Sequence, residues 1–402
     1  MQIRVEGNRA RMPGLVNVHS HSFQRLIRAR TEHRSPARED SFWTWRNAMY
    51  RVANLLTPED IYHVARMAFL EMLLAGITTV GEFHYLHNAP DGSRYDDPNL
   101  LALRVAQAAE DVGIRIVLLR TAYARAGWNL PANPLQARFI TSTAEAFIAD
   151  TEALRRSLPT VQIGVAPHSV RALPLEYIRE IVLYARASGM PVHMHAAEQP
   201  AEIEACISEH EARPIELLAR HGILDHSFTA VHAIHITSEE VGMLAAAHAG
   251  VCACPTTERN LGDGPVPADR LLDAGVPVCF GSDSNAQIDL LEDARALEYH
   301  LRMEKLRRAI LRPGSLLSGL THAGQQSLGL AEQPNDYAIL DLNDASLAGS
   351  DAGSLATAIL FSANRTAVRD VFVNGRQVIE SGRHFAQDEI VREFRRLCSR
   401  IG

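Results

Sequence analysis

Residues 13–22 read PGLVNVHSHS. An apolar run, Met12–Val18, ends in two histidines separated by one serine. Such a run predicts a short β-strand. In an extended strand end, residues i and i+2 point to one side, so His19 and His21 can reach a single ion. A lone His-x-His is a weak signal. Three further segments place a donor directly after an apolar run: PVHMHAAE (191–198), VHAIH (231–235) and GSDSN (281–285). A closed barrel brings such strand ends to one point, whereas an open, doubly wound sheet leaves the first, fifth, sixth and eighth strands apart.

Working outward, eight apolar, β-rich runs alternate with longer segments of helical period. They are Met12–Val18, Thr78–Phe83, Ile114–Arg120, Val161–Ala166, Pro191–His195, Phe228–Val231, Val251–Cys254 and Val276–Gly281. The alternation predicts an α/β fold, a (β/α)8 TIM-like barrel of the metal-dependent hydrolase type. Thr57 is a good N-cap ahead of Pro58 and Glu59, where a helix opens. The stretch Phe23–Leu56 reads as a long loop at the strand C-terminal face, where long loops are more often functional than idle. After about residue 334 the runs Tyr337–Leu340, Val371–Val373 and Gln377–Ile379 alternate with Asn-Gly and Ser-Gly turns, which predicts a small β-domain. The expected division is 1–11 as an N-terminal remnant of the small β-domain, 12–333 as the barrel, and 334–402 as the C-terminal small β-domain and tail. Only about a dozen residues precede PGLVN. The small domain is therefore expected to be truncated and built almost wholly from residues after 334, or the chain to be a shortened form.

Composition narrows the function classes. With 47% apolar and 22% charged residues the 402-residue chain is ordinary for a globular protein, and a net charge of −7 gives no sign of a nucleic-acid partner. The basic stretch at Arg302, Lys305, Arg307 and Arg308 reads as a solvated helix face. No apolar run has the length of a membrane helix, and the first residues lack a signal-peptide core. The five cysteines, Cys206, Cys252, Cys254, Cys279 and Cys398, are odd in number and form no CxxC. They read as reduced core thiols in a cytoplasmic protein.

Three imidazoles and a carboxylate can hold a divalent metal with a position left open for water. His193 and His195 share a strand face, and spacing leaves open that one of them is structural. Glu198 stands just beyond that strand, free to turn over the metal site as an acid/base; the alternative is a helix N-terminal carboxylate favoured by the dipole. His232 falls at a strand end, while His235 suits the turn that follows. Asp283 gains its weight from its place after the eighth run. The fourth run ends in APHSVRA (166–172), offering His168 and Arg171 where a second metal would want a lysine or carboxylate, so a mononuclear site is expected.

The segments PGLVNVHSHSFQR, DSFWTWRNAMYR, AGITTVGEFHYLHN, APHSVRA, HMHAAEQ, VHAIH, PTTERNLGDG and GSDSN resemble the amidohydrolase superfamily. Within it they look like the formimidoylglutamate deiminase (N-formimino-L-glutamate iminohydrolase) family. DSFWTWR, EFHYLH and TTERNLGDG are the most specific, and separate this branch from the nucleobase and adenosine-type deaminases. The resemblance implies one divalent metal, zinc with iron or manganese as alternatives, held by His19, His21, His195 and Asp283. It implies Glu198, His232 and Asp283 as catalytic groups, and substrate contacts from Gln24, Arg46, Tyr85, His168 and Arg171. The implied reaction is hydrolysis of N-formimino-L-glutamate to N-formyl-L-glutamate and ammonia, in histidine degradation, by a cytoplasmic homodimer with no membrane or nucleic-acid partner. Such a substrate carries two carboxylates and a cationic formamidine, and Arg46 and Arg171 can each form bidentate bonds to a carboxylate. The alternative is a superfamily deaminase of a nucleobase, nucleoside or other amidine or guanidino compound, for which stacking aromatics and amide readers would serve better than two arginines. A ligand-binding relic of the fold would be expected to lose a metal ligand or the acid/base, and none is missing.

Overall fold

Residues 3–32 and 41–401 are described by the structure, a computed structural model. In chain order its strands are β1 (Arg4–Glu6), β2 (Arg9–Pro13), β3 (Leu15–Ser20), β4 (Ile77–His84), β5 (Arg115–Ala122), β6 (Gln162–Pro167) and β7 (Val192–Ala196). They continue with β8 (Phe228–His232), β9 (Gly250–Ala253), β10 (Val278–Phe280), β11 (Tyr337–Asp341), β12 (Val368–Val373), β13 (Arg376–Glu380) and β14 (Arg383–His384). Strands β3 to β10 lie side by side in chain order, all parallel, with helices in the connections. The remaining six form a separate antiparallel sheet in the order β1-β2-β11-β12-β13-β14. The expected α/β barrel with an added small β-sheet is therefore present, and each barrel strand overlaps the run expected for it.

The first run differs. Met12–Val18 is shared between the two sheets, because Met12 and Pro13 pair with Ala338 and Tyr337 of β11 while β3 begins at Leu15. Gly14 makes the break. Its N–H donates to the Asp336 carbonyl at 2.9 Å, and a Cβ there would stand 2.1 Å from Thr78 Oγ1. Hydrophobicity cannot reveal this break, since Met12 and Leu15 on either side of it are both apolar and buried. The expected division between residues 11 and 12 thus falls inside β2, and the N-terminal residues supply two of the small sheet's strands. At the other end, helix Gln387–Ile401 returns to the barrel and lies on helix Pro58–Leu74 through Arg66–Glu389 (2.8 Å) and an Arg400–Asp60 pair.

Helix Pro58–Leu74 starts as its sequence predicts, in a capping box where Thr57 Oγ1 accepts from the Asp60 N–H and Asp60 Oδ2 accepts from the Thr57 N–H. The long stretch before it is not simply a loop. Residues 33–40 lie outside the described residues, but Ser22–Ile27 forms a 3-10 turn and Phe42–Ala53 a helix capped by Ser41 and Thr44. Phe42, Trp45, Arg46, Met49 and Tyr50 recur at helical spacing, and all five line one cavity. That periodicity was available in the sequence, masked by the arginine and polar residues among the aromatics.

The barrel closes between β3 and the residues after β10. Ser20 bridges to Asp283, the His21 N–H donates to the Asp283 carbonyl (3.0 Å), and the Asp283 N–H donates to the His19 carbonyl (2.9 Å). Asn17 and Ser282 lock the seam below by exchanging bonds of 2.7 and 3.0 Å. Gly281 permits the approach: a Cβ there would lie 2.8 Å from both the Cβ and the carbonyl oxygen of His19. The sequence suggests a tight turn at this glycine, but the requirement is close contact. Gly281→Ala is expected to destabilise the protein by ~1–3 kcal/mol through overpacking and to weaken metal retention with it. Urea unfolding together with metal content checks this, and wild-type values for both would refute the seam argument.

Candidate metal centre and catalytic pocket

The residues at the C-terminal ends of the barrel strands converge on the seam. His19 ends β3 with His21 just beyond it, His195 lies near the end of β7, His232 ends β8, and Asp283 follows β10. Donor atoms of His19, His21, His195 and Asp283 all lie within 4.8 Å of one another. The Nε2 atoms of His19 and His21 are each 3.3 Å from Asp283 Oδ1, and His19 Nε2 is 3.2 Å from His195 Nε2. Backbone carbonyls hold the far nitrogens: Phe83 O lies 2.9 Å from His21 Nδ1, and His168 O lies 3.1 Å from His195 Nδ1. This fixes the tautomers and turns both Nε2 lone pairs inward, the outer-shell arrangement of a metal-binding histidine.

Electrostatics agree with a cation at this point. Burial lowers His19 to about 3 and also lowers His21 and His195, so all three are neutral imidazoles able to ligate. Although burial opposes its charge, Asp283 is held below the usual carboxylate range by its hydrogen bond to His19 and by the surrounding imidazoles. The Nε2 atoms of His19 and His195 stand 3.2 Å apart beside the Asp283 carboxylate, close enough for one ion to take the place of a proton between these donors. A divalent ion fits this donor set.

Beside the cluster stand two groups that can move protons. His232 Nε2 is 3.6 Å from Glu198 Oε1 and 3.7 Å from Asp283 Oδ2. Burial raises the Glu198 pKa, partly countered by His232. His232 is raised in spite of burial, by Glu198, Glu258 and Asp283. Both His232 (φ 72°) and Asp283 (φ 45°) have left-handed backbones, a conformation that costs a non-glycine residue ~1–3 kcal/mol and is often found at functional sites.

Gln24, Arg46, Tyr85, His168 and Arg171 all line the cavity that also contains His21, His195, Glu198, His232 and Asp283. Gln24 Nε2 donates to Tyr85 Oη at 2.8 Å. His168 packs its ring between Tyr123 and His195, each centroid 4.8 Å away. Arg46 stacks over Trp43 at 4.3 Å, and its buried Nε and Nη1 have no hydrogen-bond partner among the described residues. Arg171 Nη1 donates to Tyr123 Oη at 3.3 Å. Neither arginine pairs with a carboxylate among the described residues, unlike Arg120 and Arg125 nearby, which pair with Asp150 and Glu209. His193 is not brought to the cluster; its Nε2 meets the Ser327 carbonyl at 2.8 Å on another side of the strand bundle. His235 packs beside Gly264, and its carbonyl accepts from Arg213.

Four groups escape the sequence reading. Glu258, fully buried, places Oε1 3.2 Å from His232 Nδ1 and accepts the Cys254 N–H at 2.8 Å. Glu202 accepts the Glu198 N–H at 3.0 Å and so fixes the turn that presents Glu198. Tyr50 and Tyr123 both accept from Gln136 Nε2 at 2.8 Å, forming one wall of the cavity. Glu258 lies in TTERNLGDG, a segment recognisable as specific but without an assignable role until the fold places it against His232. Tyr123 directly follows β5, and its strand-end position was the available signal.

The Amidohydrolase family profile matches residues 11–378. A formimidoylglutamate deiminase from Pseudomonas aeruginosa is 37% identical over 399 residues, 95% of this chain and 87% of that protein. A 5-methylthioadenosine/S-adenosylhomocysteine deaminase from Natronomonas pharaonis is 28% identical over 380 residues, 92% of this chain and 81% of that protein. Among solved structures, an amidohydrolase from Brucella melitensis superposes with a TM-score of 0.91 at 33% identity, covering 99% of this chain and 95% of that one.

Proposed function

This chain belongs to the amidohydrolase family and is a hydrolase acting on a non-peptide C–N bond; from that premise we propose that it deiminates N-formimino-L-glutamate to N-formyl-L-glutamate and ammonia. The observation that carries the choice of substrate is the pair of arginines, Arg46 and Arg171, lining the cavity of the metal cluster with no carboxylate paired to them among the described residues. Half-buried guanidinium groups without an anionic partner are costly to maintain, and a dicarboxylate substrate supplies the missing charge.

His19, His21, His195 and Asp283 would hold one divalent metal, zinc in this proposal, which when bound lowers the pKa of a water and polarises the carbon under attack. Arg46 and Arg171 bind the two carboxylates and so fix the formimino carbon over the cluster. Gln24, Tyr85 and His168 supply further hydrogen bonds. Glu198 and Asp283 take the proton of the attacking water, and Glu198 returns it to the departing nitrogen. His232, held by Glu258, steadies the tetrahedral carbon through its Nε2 side. Water adds to the formimino carbon, the C–N bond to the terminal nitrogen breaks, and ammonia leaves with the protons delivered to it.

No helix among the described residues is long and apolar enough to cross a membrane. The proposal extends to a cytoplasmic homodimer serving histidine degradation without a nucleic-acid partner. Ammonia release from N-formimino-L-glutamate by zinc-loaded protein, run beside S-adenosylhomocysteine and 8-oxoguanine, tests the substrate. Release from the formimino compound alone is expected. Release only from a purine substrate would overturn the proposal in favour of a nucleobase or nucleoside deaminase.

A further inference from the structure

The two oxygens of Asp283 face different surroundings. Oδ1 lies 3.3 Å from both His19 and His21, within the four-donor cluster, while Oδ2 lies 3.7 Å from His232 Nε2. His232 Nε2 is buried and has no hydrogen-bond partner among the described residues. Its Nδ1 is held by the Glu258 carboxylate at 3.2 Å, which leaves Nε2 facing Glu198 Oε1 at 3.6 Å and Asp283 Oδ2 at 3.7 Å. A carboxylate behind a histidine whose other nitrogen is free is the outer-shell pattern of a metal ligand. The thiol of Cys254 completes a second group: donor atoms of His232, Cys254 and Asp283 all lie within 4.8 Å of one another, and all three residues are buried. They come from the ends of three adjacent strands, β8, β9 and β10.

We infer that His232, Cys254 and Asp283 form a second, weaker metal site that takes a thiophilic divalent ion such as zinc in excess, cadmium or cobalt, and that stops turnover when filled. Asp283 bridges the two sites, Oδ1 toward the first and Oδ2 toward the second. Binding forms a metal–sulfur and a metal–nitrogen bond and expels the Cys254 thiol proton and the His232 Nε2 proton to solvent, with no change of oxidation state. Zinc–sulfur and zinc–nitrogen bonds of roughly 2.3 and 2.0–2.1 Å require the most widely spaced donors to close by about 1 Å. That adjustment and the loss of the thiol proton make this site the weaker one. An ion here takes the Nε2 of His232 and draws on Asp283, two groups the proposed reaction uses, so occupancy and activity exclude each other. The inference rests on the proposed ion at the four-ligand centre, but not on the identity of the substrate.

Cobalt(II) titration of chelator-stripped full-length protein separates these readings. The first equivalent should bind without a thiolate-to-cobalt charge-transfer band, and the second should bring one, with equilibrium dialysis giving the stoichiometry. In Cys254→Ser the band and the second equivalent should vanish while the first equivalent stays. Cys254→Ala serves the same end if serine is not tolerated, and Cys252→Ser should retain both features. Glu258→Gln should weaken the second ion by ~10–100-fold and leave the first in place. A wild-type protein that binds one equivalent only, a band that survives in both Cys254 variants, or a band arriving with the first equivalent would overturn the inference. Because no readout uses substrate, a wrong substrate leaves the test intact.

Discussion

Glu198→Gln is expected to lower kcat by roughly 10²–10⁴-fold while the protein keeps its first equivalent of metal. The two effects separate because Glu198 lies outside the four-donor cluster yet shares its cavity. Glutamine keeps the length and hydrogen-bonding capacity of the side chain but cannot carry a proton. The local frame should survive, since the backbone of residue 198 is fixed by the Glu202 carboxylate and not by its own side chain. Burial raises the Glu198 pKa, which brings it nearer to working pH and suits it to both accepting and returning a proton. Turnover within tenfold of wild type in a metal-loaded variant would remove Glu198 from the proton path. Loss of metal together with activity would make it a ligand instead.

Arg171→Met is expected to cut kcat/KM for N-formimino-L-glutamate by ~30- to 4,000-fold, corresponding to ~2–5 kcal/mol for one partner of a buried, hydrogen-bonded charge pair. Methionine keeps much of the side-chain volume, so the contacts around Tyr123 lose one long hydrogen bond and little packing. The same change should leave metal content unaltered, because Arg171 contributes no donor to the cluster. Arg46→Met should act in the same direction, and the double variant should show whether each arginine takes a separate carboxylate. Near-additive losses mean two carboxylate contacts, whereas a double variant no worse than either single means one shared contact. A nucleoside substrate has no carboxylate to lose. An unchanged kcat/KM in Arg171→Met would therefore count directly against the dicarboxylate reading.

The barrel and its strand-end donors were legible because each depends on short-range pattern, while the choice of His195 over His193 came from the resemblance. An apolar run followed at once by a histidine or aspartate is visible within ten residues, and repetition of that pattern is what a barrel requires. Arg46 and Arg171 were legible only through the resemblance, since an arginine between Trp45 and Asn47 reads by itself as a surface group. The helix that carries Arg46 was missed because its inward face mixes aromatics with a charge, which weakens a purely hydrophobic period. Gly14 and Gly281 were recognisable as glycines but not as contact points, because Thr78 and His19 approach them from other strands.

By itself, the sequence determined the alternation of strand and helix, the order of the strands, and the presence of histidines, a glutamate and an aspartate directly after them. All of these rest on periodicity and spacing within a few residues, which chain stereochemistry imposes locally. Only the tertiary structure decided that Asp283 faces His19 and His21 across the seam, that Glu258 orients His232, and that two arginines with no carboxylate partner among the described residues share one cavity. Those relations join residues far apart in the chain, as Asn17 and Ser282 do across 265 positions. Their distances follow from closure of the barrel and packing of its rim, which no local pattern specifies.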